Sequence, residues 1–294
     1  MIGIDWGTSS LRAWRIGADG AVLESRSSPR GIMTVADRKF EPVLRAGIGD
    51  WLAAGENRVL LSGMIGSRQG WVEARYLPCP AGVDELAAGL SPVGFDGASV
   101  MVVPGLATVD ADGVPEVMRG EETQILGAAV AGPIIACLPG THSKWAKVVD
   151  GRITGFTTYM TGEVFAALGD HTILAHTVRK GPIDEAAFDA GLARARGGGG
   201  LLHHVFGART LVLRDGLGET AAFSYLSGLL IGHEMAAAFD RGAGASGAVK
   251  VIGAGGLGAL YARAIASCGG AAETVGEAAT AAGLALLGGR AKWQ

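Results

Sequence analysis

The most constraining feature of the sequence is a pattern that occurs once near the start of each half of the chain. Residues 2–5, an apolar stretch that ends in an acid, predict a β-strand, and a Gly-Thr turn follows at residues 7 and 8. The apolar run 134–138 is followed in the same way by a Gly-Thr turn at residues 140 and 141. Each turn leads into a second strand and then into a hairpin with an Asp-Gly pair. Two such copies predict a duplicated, two-lobed nucleotide-binding fold.

The first turn has the chemistry of a phosphate-binding loop. Gly7 lets the backbone approach an anion closely, and the hydroxyls of Thr8 and Ser9 can donate to phosphate oxygens. Asp5, at the end of the strand, could hold a hydrated Mg²⁺ that bridges the phosphates. A tight hairpin capped by hydroxyls is the alternative. Because the second turn has no acid in the corresponding place, we assign the metal to Asp5 alone.

The composition predicts a well-buried globular protein. The chain has 294 residues, of which 49% are hydrophobic and 18% are charged, and this length fits two lobes better than one core. We predict an N-terminal lobe over residues 1–130 and a C-terminal lobe over residues 131–294. The formal net charge of −3 shows no basic surplus, so the sequence does not indicate a nucleic-acid partner.

The cysteines and the apolar runs bear on location. Cys79, Cys137 and Cys268 are widely spaced without a metal-binding pattern, so we expect reduced thiols. No basic and apolar leader precedes the first strand, and the longest apolar run, residues 125–138, is too short to span a bilayer. We therefore expect a cytoplasmic protein with no membrane partner.

Candidate substrate contacts lie in two loops of the first half. In a parallel sheet, ligands bind at the loops beyond the carboxyl ends of the strands. Ser62, Ser67 and Arg68 follow the predicted strand 59–61, and Arg30 lies in a Pro- and Gly-containing loop. An arginine suits a substrate carboxylate because its fork binds two oxygens. A structural loop and a solvated charge are the alternatives.

Paired acids open a predicted helix before the second copy of the pattern. Glu121 and Glu122 stand at its start, in a stretch that runs to residue 129. Acids in the first turn of a helix usually serve its dipole and its cap. The functional alternative is that one carboxylate faces a cleft and takes a proton from an attacking hydroxyl.

Four polar residues follow the second turn or belong to it. Lys144 could neutralise a phosphate or a substrate carboxylate as a point charge. His142 has no second histidine or cysteine at metal-binding spacing, so we interpret it as a phosphate or hydroxyl donor or as a surface residue. Thr161 is predicted as a helix N-cap with Glu163 in the first turn, and Glu163 is also a candidate for the cleft.

The C-terminal third contains a strong helix and a glycine-rich turn. Residues 223–239 predict the helix, with Glu234 at the surface or the cleft edge, and residues 194–200 predict a mobile loop. The strand at 249–252 leads into a G-x-G-x-x-G turn that includes Gly255 and Gly256. A dinucleotide site normally opens its domain, so we favour contact with one face of an adenine, with a purely structural turn as the alternative.

Together these motifs resemble those of a known superfamily. Residues 4–10, 120–122, 139–143 and 253–256 resemble, in this order, the phosphate 1, catalytic, phosphate 2 and adenosine motifs. These are the motifs of the actin-like ATPase and sugar kinase superfamily. More narrowly, the chain resembles the 2-dehydro-3-deoxygalactonokinase family in residues 62–67, 119–124, 138–145, 159–163 and 226–232.

The resemblance implies both a fold and a reaction. The fold would be α/β, a two-lobed actin-like ATPase (ribonuclease H-like) fold with a mixed β-sheet in each lobe and an interlobe cleft. The reaction would transfer the γ-phosphoryl group of ATP to the 6-hydroxyl of 2-dehydro-3-deoxy-D-galactonate, in galactonate catabolism. Mg²⁺ would be held from Asp5. The base would be Glu122 or Glu121, and we favour Glu122 because it lies 18 residues ahead of Gly140.

The resemblance also implies which residues contact each ligand. Related kinases hold phosphates between the two turns and adenine at the glycine-rich turn, which here gives Gly7, Thr8, Ser9, Gly140, Thr141, His142, Gly255 and Gly256. Candidates for the sugar acid are Arg30, Ser62, Ser67, Arg68, Lys144 and Glu163, with the three cations as candidates for its carboxylate.

Three other functions remain open on the sequence. The first is a kinase for another sugar acid or an amino sugar on the same fold. The second is a non-enzymatic actin-like ATP-binding protein that assembles or regulates. The third is a nicotinamide-dependent dehydrogenase that uses the glycine-rich turn. We also consider a homodimer.

Overall fold

The computed structural model describes residues 1–128, 132–245, 247–253, 255–276 and 278–293. The chain divides into two compact units. Unit 1 comprises residues 1–133, 146–157 and 275–294, and unit 2 comprises residues 134–145 and 158–274. The predicted boundary at residue 130 lies outside the described residues, and the lobes 1–130 and 131–294 stay a prediction.

The described residues form mixed α/β structure. In chain order the strands are β1 Ile2–Trp6, β2 Leu11–Ile16, β3 Val22–Ser28, β4 Arg58–Ser62, β5 Tyr76–Pro78, β6 Ser91–Val93, β7 Ser99–Val102, β8 Gly105–Val109, β9 Pro115–Met118, β10 Ile134–Leu138, β11 Ser143–Val149, β12 Arg152–Tyr159, β13 Val249–Ile252 and β14 Ala272–Val275. The α-helices are α1 Phe40–Ala53, α2 Val83–Ala88, α3 Glu121–Gly127, α4 Thr161–His171, α5 Glu185–Ala195, α6 Gly200–Arg214, α7 Glu219–Asp240, α8 Gly256–Ser267 and α9 Ala278–Arg290.

The six-stranded sheet of unit 1 has the order β3-β2-β1-β4-β7-β6. Strand β1 pairs antiparallel with β2 and parallel with β4, and β4 pairs parallel with β7. The carboxyl ends of β1, β4 and β7 therefore meet at one edge, which is where such sheets bind ligands. At this edge Asp5 stands opposite Ser62. Unit 1 contains a second sheet, β5-β8-β9, and its last strand β9 is followed directly by α3.

The apolar residues Val43, Leu44, Ile48, Trp51 and Leu52 predict an amphipathic helix over residues 40–53, and helix α1 confirms this prediction. Phe40, Leu44, Ile48 and Trp51 recur at helical spacing, and all four are buried in the core of unit 1. Each such side chain contributes about 1.5–3 kcal/mol when it is removed from water. This packing anchors α1 against the sheet and leaves its polar residues outside.

The second copy of the strand and turn pattern is also confirmed. Strand β10 is followed by a turn, by β11, and by an Asp150-Gly151 turn with positive φ angles of 50° and 72° before β12. The sheet order is β12-β11-β10-β13-β14, and β10 runs parallel to β13. Unit 2 packs its core between this sheet and the helices α5, α7 and α8.

Three expectations from the sequence need correction. Glu234 is not at the surface: it is 3% exposed on α7, because polar groups from distant segments bond its carboxylate. Thr161 is not the N-cap of α4, because Met160 takes that place and the Thr161 hydroxyl donates to Glu234 instead. The loop predicted at 194–200 is shorter, because α5 runs to Ala195 and α6 begins at Gly200.

No helix within the described ranges combines the length and the apolar character that a bilayer crossing requires.

Candidate functional site

The first turn is fixed from behind and presents its hydroxyls to solvent. The Ile32 N–H donates to the Gly7 carbonyl at 3.0 Å. Thr8 and Ser9 are exposed. A Cβ added at Gly31 would lie 2.2 Å from the Thr8 carbonyl oxygen, so only glycine allows this close approach. The turn is thus a held backbone loop whose hydroxyl groups remain available to a ligand.

Asp5 lies at the end of β1 with a cationic partner. Its side chain is 13% exposed, and its Oδ2 accepts a hydrogen bond of 2.7 Å from Nη2 of Arg12. A Cβ added at Gly63 would lie 3.0 Å from Oδ1. The carboxylate therefore sits between the first turn and the loop that follows β4.

A buried hydrogen-bond chain joins two residues that the sequence predicted separately. The hydroxyls of Ser62 and Thr123 are 2.9 Å apart, and Thr123 Oγ1 donates to Oε1 of Glu122 at 3.0 Å. Because a hydroxyl carries one hydrogen, Thr123 must accept from Ser62. Oε2 of Glu122 accepts the N–H of Gly120 at 2.7 Å. The end of β4 is therefore bonded directly to the carboxylate at the start of α3.

The two adjacent acids have different environments. Glu122 is fully buried, and burial, with a further contribution from Glu121, raises its pKa from 4.5 to about 8. Glu121 is half-buried and accepts the N–H of Arg119 at 3.0 Å. A carboxyl group with a pKa near neutrality is typical of acid–base catalysis. Glu122 has this property, whereas Glu121 has the greater exposure.

The cations predicted to meet a substrate carboxylate differ in placement. The Arg68 side chain is 86% exposed and lies 3.8 Å from Glu73. Arg30 is also exposed, and its carbonyl accepts the indole N–H of Trp6 at 2.8 Å. Lys144, in unit 2, is buried, and its Nζ donates to Thr158 Oγ1 at 2.8 Å.

Sequence reasoning missed Arg119. It is 8% exposed, and Nη2 donates to the Ala74 carbonyl at 2.6 Å. The available signal was its place directly before Gly120 and the paired acids. Ser67, which the sequence did single out, is buried in the same unit.

The second turn, in unit 2, is bonded to the start of α4. The Glu163 N–H donates to the Thr141 carbonyl at 3.0 Å, and His142 Nε2 lies 2.5 Å from Glu163 Oε2. A Cβ added at Gly162 would lie 2.5 Å from the Gly140 carbonyl oxygen, so the helix approaches the turn closely. Glu163 thus positions His142 and the turn.

The glycine-rich turn lies beside the second turn within unit 2. Because β10 and β13 are parallel neighbours, their carboxyl ends meet at one edge. A Cβ added at Gly253 would lie 3.9 Å from Pro139 Cδ. Gly255 has a φ of 77°, which favours glycine, and α8 begins at Gly256. Residue 254 of this motif lies outside the described residues.

The fold and the two Gly-Thr turns indicate the class of protein. Strand, Gly-Thr turn and hairpin occur twice on mixed sheets, as in the actin-like ATPase and sugar kinase class. The activator of the 2-hydroxyisocaproyl-CoA dehydratase from Clostridium difficile, solved with bound ADPNP, is similar in fold, with a TM-score of 0.53 at 12% identity over 98% of this chain and 94% of that chain. At this identity the likeness concerns the fold alone.

The family follows from sequence. The family described as 2-keto-3-deoxy-galactonokinase matches residues 5–287, and the chain belongs to it. It is 42% identical over 273 residues to the "Probable 2-dehydro-3-deoxygalactonokinase" of Rhizobium meliloti, covering 90% of this chain and 89% of that protein. Identity to the 2-dehydro-3-deoxygalactonokinase of Escherichia coli K12 is 36% over 240 residues, covering 81% and 80%.

A solved structure agrees with this assignment. A crystal structure from Sinorhizobium meliloti, of a protein named as a candidate 2-dehydro-3-deoxygalactonokinase, has a TM-score of 0.88 and 41% identity to this chain. It covers 96% of each chain. The predicted α/β fold class is therefore confirmed.

Proposed function

We propose that the protein transfers the γ-phosphoryl group of ATP to the 6-hydroxyl of 2-dehydro-3-deoxy-D-galactonate. Family membership supports the substrate class. The observation that carries the site is the buried chain of hydrogen bonds from Ser62 through Thr123 to Glu122, next to Asp5 at the same sheet edge. A carboxyl with a raised pKa near the strand ends, the edge at which such sheets bind ligands, supports this assignment.

In this proposal Glu122 is the general base. As the substrate oxygen forms its bond to the γ-phosphorus, the hydroxyl proton passes to the Glu122 carboxylate, and the bond from phosphorus to the oxygen of ADP breaks. Glu122 must be ionised for this step, and its raised pKa makes it a stronger proton acceptor than an ordinary glutamate. Glu121, which is half-buried, is the alternative base. Positioning supplies most of the remaining catalysis.

The two turns and the glycine-rich segment would contact ATP. Unit 1 contributes donors from Gly7, Thr8 and Ser9 to phosphate oxygens. Unit 2 contributes the remaining contacts, namely Gly140, Thr141 and His142 for phosphates and Gly255 and Gly256 for adenine. Backbone N–H groups and hydroxyls at such turns are suited to anions.

Asp5 fits a magnesium site of the usual kinase type. Mg²⁺ in such sites is held by one or two carboxylates together with water and phosphate oxygens. Asp5, a carboxylate beside the hydroxyl-bearing first turn, has the oxygen donor that such a site needs. The ion would neutralise charge on the phosphates.

The test is a substrate panel with coupled detection of ADP. We expect 2-dehydro-3-deoxygalactonate to give a kcat/KM at least about 100-fold above those of other sugar acids and amino sugars. Preference for another sugar would replace the substrate while retaining the kinase. No sugar-dependent ADP release would favour the non-enzymatic ATP-binding protein, and binding of NAD(P) without ATP would favour a dehydrogenase.

Two single variants then assign the base. Glu122→Gln should lower kcat by about 100-fold or more, and Glu121→Gln should lower it much less. Glu73→Gln, which changes an exposed acid of the same unit, is the matched control. The reverse order of the two effects would assign the base to Glu121, and two active variants would contradict both assignments.

The remaining expectations from the sequence stay predictions. They are the sugar-acid contacts of Arg30, Ser62, Ser67, Arg68, Lys144 and Glu163, the cytoplasmic location, the homodimer, and the lack of nucleic-acid and membrane partners.

A further inference from the structure

Arg119 is a buried cation without a counter-ion. Its side chain packs over the ring of Tyr76, with the guanidinium carbon 4.3 Å from the ring centroid. Nη2 donates to the Ala74 carbonyl, but the buried atoms Nε and Nη1 have no hydrogen-bond partner. Arg119 takes part in none of the ion pairs among the described residues.

This arrangement destabilises the folded chain when no anion is bound. A guanidinium stays charged at all relevant pH values, and a buried charge destabilises the fold unless an anion pairs with it. Nε carries one N–H and Nη1 carries two, so three donors have no acceptor. Each buried donor without an acceptor carries a further desolvation cost. An anion with two or more oxygens would satisfy these donors and balance the charge.

A second unpartnered group lies in the loop after β4. Ser67 is 7% exposed, and its buried Oγ has no hydrogen-bond partner. The backbone next to it contacts the guanidinium, because a Cβ added at Gly66 would lie 3.0 Å from Nη1 of Arg119. Two independent segments of unit 1 therefore bring unsatisfied donors to the same region.

Arg119 and the proposed base Glu122 belong to one short segment of unit 1. Arg119 comes three residues before Glu122, so their Cα atoms are at most about 11 Å apart. Gly120 between them packs on the loop after β4, since a Cβ on Gly120 would lie 3.1 Å from the Cα of Gly63. A six-carbon sugar acid has its carboxylate at one end and its 6-hydroxyl at the other, so it needs a cation and a base at two points of one site.

We propose that Arg119, assisted by Ser67, binds the carboxylate of the sugar-acid substrate and makes the enzyme specific for acids over neutral sugars. This inference rests on the proposed function. The segment of residues 66–76 covers the guanidinium through Ala74 and Tyr76, so this segment must shift when the carboxylate enters. Under this proposal the exposed Arg68 and Arg30 do not bind the substrate carboxylate.

The test compares the acid with its uncharged carboxamide analogue. In the wild type the acid should have a kcat/KM about 100-fold above that of the carboxamide. Arg119→Met should lower kcat/KM for the acid by about 100-fold, mainly through KM, and leave the carboxamide within about threefold. Ser67→Ala should lower the acid value by about three- to tenfold.

Further variants control for the position of the substitution and for folding. Arg75→Met changes an exposed arginine of the same segment and should leave both substrates unchanged. Arg119→Met should fold as well as the wild type, since it replaces an unpaired buried charge with an apolar chain of similar length. If it does not fold, Arg119→Lys keeps the charge without the fork and should still lose at least about tenfold for the acid.

The two proposals fail differently. Absence of ADP release with the acid in the wild type would overturn the proposed function. An active wild type combined with an Arg119→Met variant that keeps the preference for the acid would overturn this inference alone. Loss of the preference in Arg68→Met but not in Arg119→Met would move the carboxylate to Arg68 and would also overturn it.

Discussion

The hydroxyl of Tyr261 donates a hydrogen bond of 2.6 Å to the carboxylate of Glu234, and both residues are buried. The same carboxylate accepts the indole N–H of Trp145 at 2.7 Å and the hydroxyl of Thr161 at 2.5 Å. Tyr261 Oη is also 2.7 Å from Ser143 Oγ, next to the second turn. Burial raises the pKa of Glu234, and the surrounding donors oppose this shift. Glu234 thus joins α7, β11, α4 and α8.

Tyr261→Phe should reduce both stability and ATP binding. It removes a donor to Glu234 and one hydrogen-bond partner of Ser143, which should lower the free energy of unfolding by about 1.5–3 kcal/mol. Because Ser143 follows the second turn directly and opens β11, KM for ATP should rise more than kcat falls. Urea denaturation and steady-state kinetics measure the two effects.

The matched control for this change is Tyr225→Phe in the same unit. Tyr225 is 6% exposed, and its hydroxyl makes no hydrogen bond within the described residues. It should alter the free energy of unfolding by less than about 0.5 kcal/mol. Equal effects of the two substitutions would contradict a positioning role for the Glu234 cluster.

Gly283→Ala should disturb the helix that carries Glu122. A Cβ at Gly283 would lie 1.9 Å from the Thr123 carbonyl oxygen, so α9 and α3 must separate. Overpacking of this kind costs about 1–3 kcal/mol or more, and the shift of α3 should also lower kcat. Thermal unfolding and turnover are the measurements.

Gly289→Ala is the control on the same helix. No atom lies within 4 Å of a Cβ added there, so the substitution should be neutral or stabilise α9 by about 0.5–1 kcal/mol. If Gly283→Ala behaved like Gly289→Ala, the close contact between α3 and α9 would not be important for the site.

Local patterns predicted local structure well. The helix at residues 40–53 is placed correctly because its apolar residues recur at helical spacing. The two strand and turn copies are found because each is contiguous in sequence. Side chains such as Ser62 and Glu122 were each singled out, but the bond through Thr123 depends on how β4 packs beside α3.

Buried charges could not be predicted in this way. Glu234 has the sequence context of a helix surface, and its burial depends on donors located 27, 73 and 89 residues away. Arg119 likewise has the sequence context of a surface arginine before a helix, but in the structure segment 66–76 covers it. Charged residues become buried only where distant segments supply partners, and a single sequence does not show those contacts.

The pH dependence of the enzyme should report on Glu122. Since the base must be ionised, kcat/KM should rise with pH and level off above about 8. Stability should change in the opposite direction. The folded state holds a proton that the unfolded state loses near 4.5, so the free energy of unfolding should fall as the pH rises from 4.5 to about 8.

Glu122→Gln should remove both dependences, because its side chain does not titrate. Glu121→Gln should keep the profile and move its midpoint to lower pH, since Glu121 helps to raise the pKa of Glu122. Urea denaturation at a series of pH values and initial rates over the same range provide the measurement. A rate profile in Glu122→Gln that still rises near pH 8 would assign the titration to another group.

Asp5→Asn should abolish activation by magnesium. Asparagine keeps the shape of the side chain but removes the charge that would attract the ion, so we expect a loss in kcat of about 100-fold or more. Chelation with EDTA should inactivate the wild type, and added Mg²⁺ should restore it. Asp5→Asn should respond weakly to Mg²⁺ at any concentration.

Arg12→Gln separates the metal role from the ion pair. Asp5 and Arg12 are 2.7 Å apart, so either substitution breaks this salt bridge and should lower the free energy of unfolding by a comparable amount. Only Asp5→Asn removes the carboxylate, and therefore only Asp5→Asn should lose the dependence on Mg²⁺. Near-normal turnover in Asp5→Asn would exclude Asp5 as the metal ligand, whereas equal losses in both variants would show that the ion pair itself maintains the first turn.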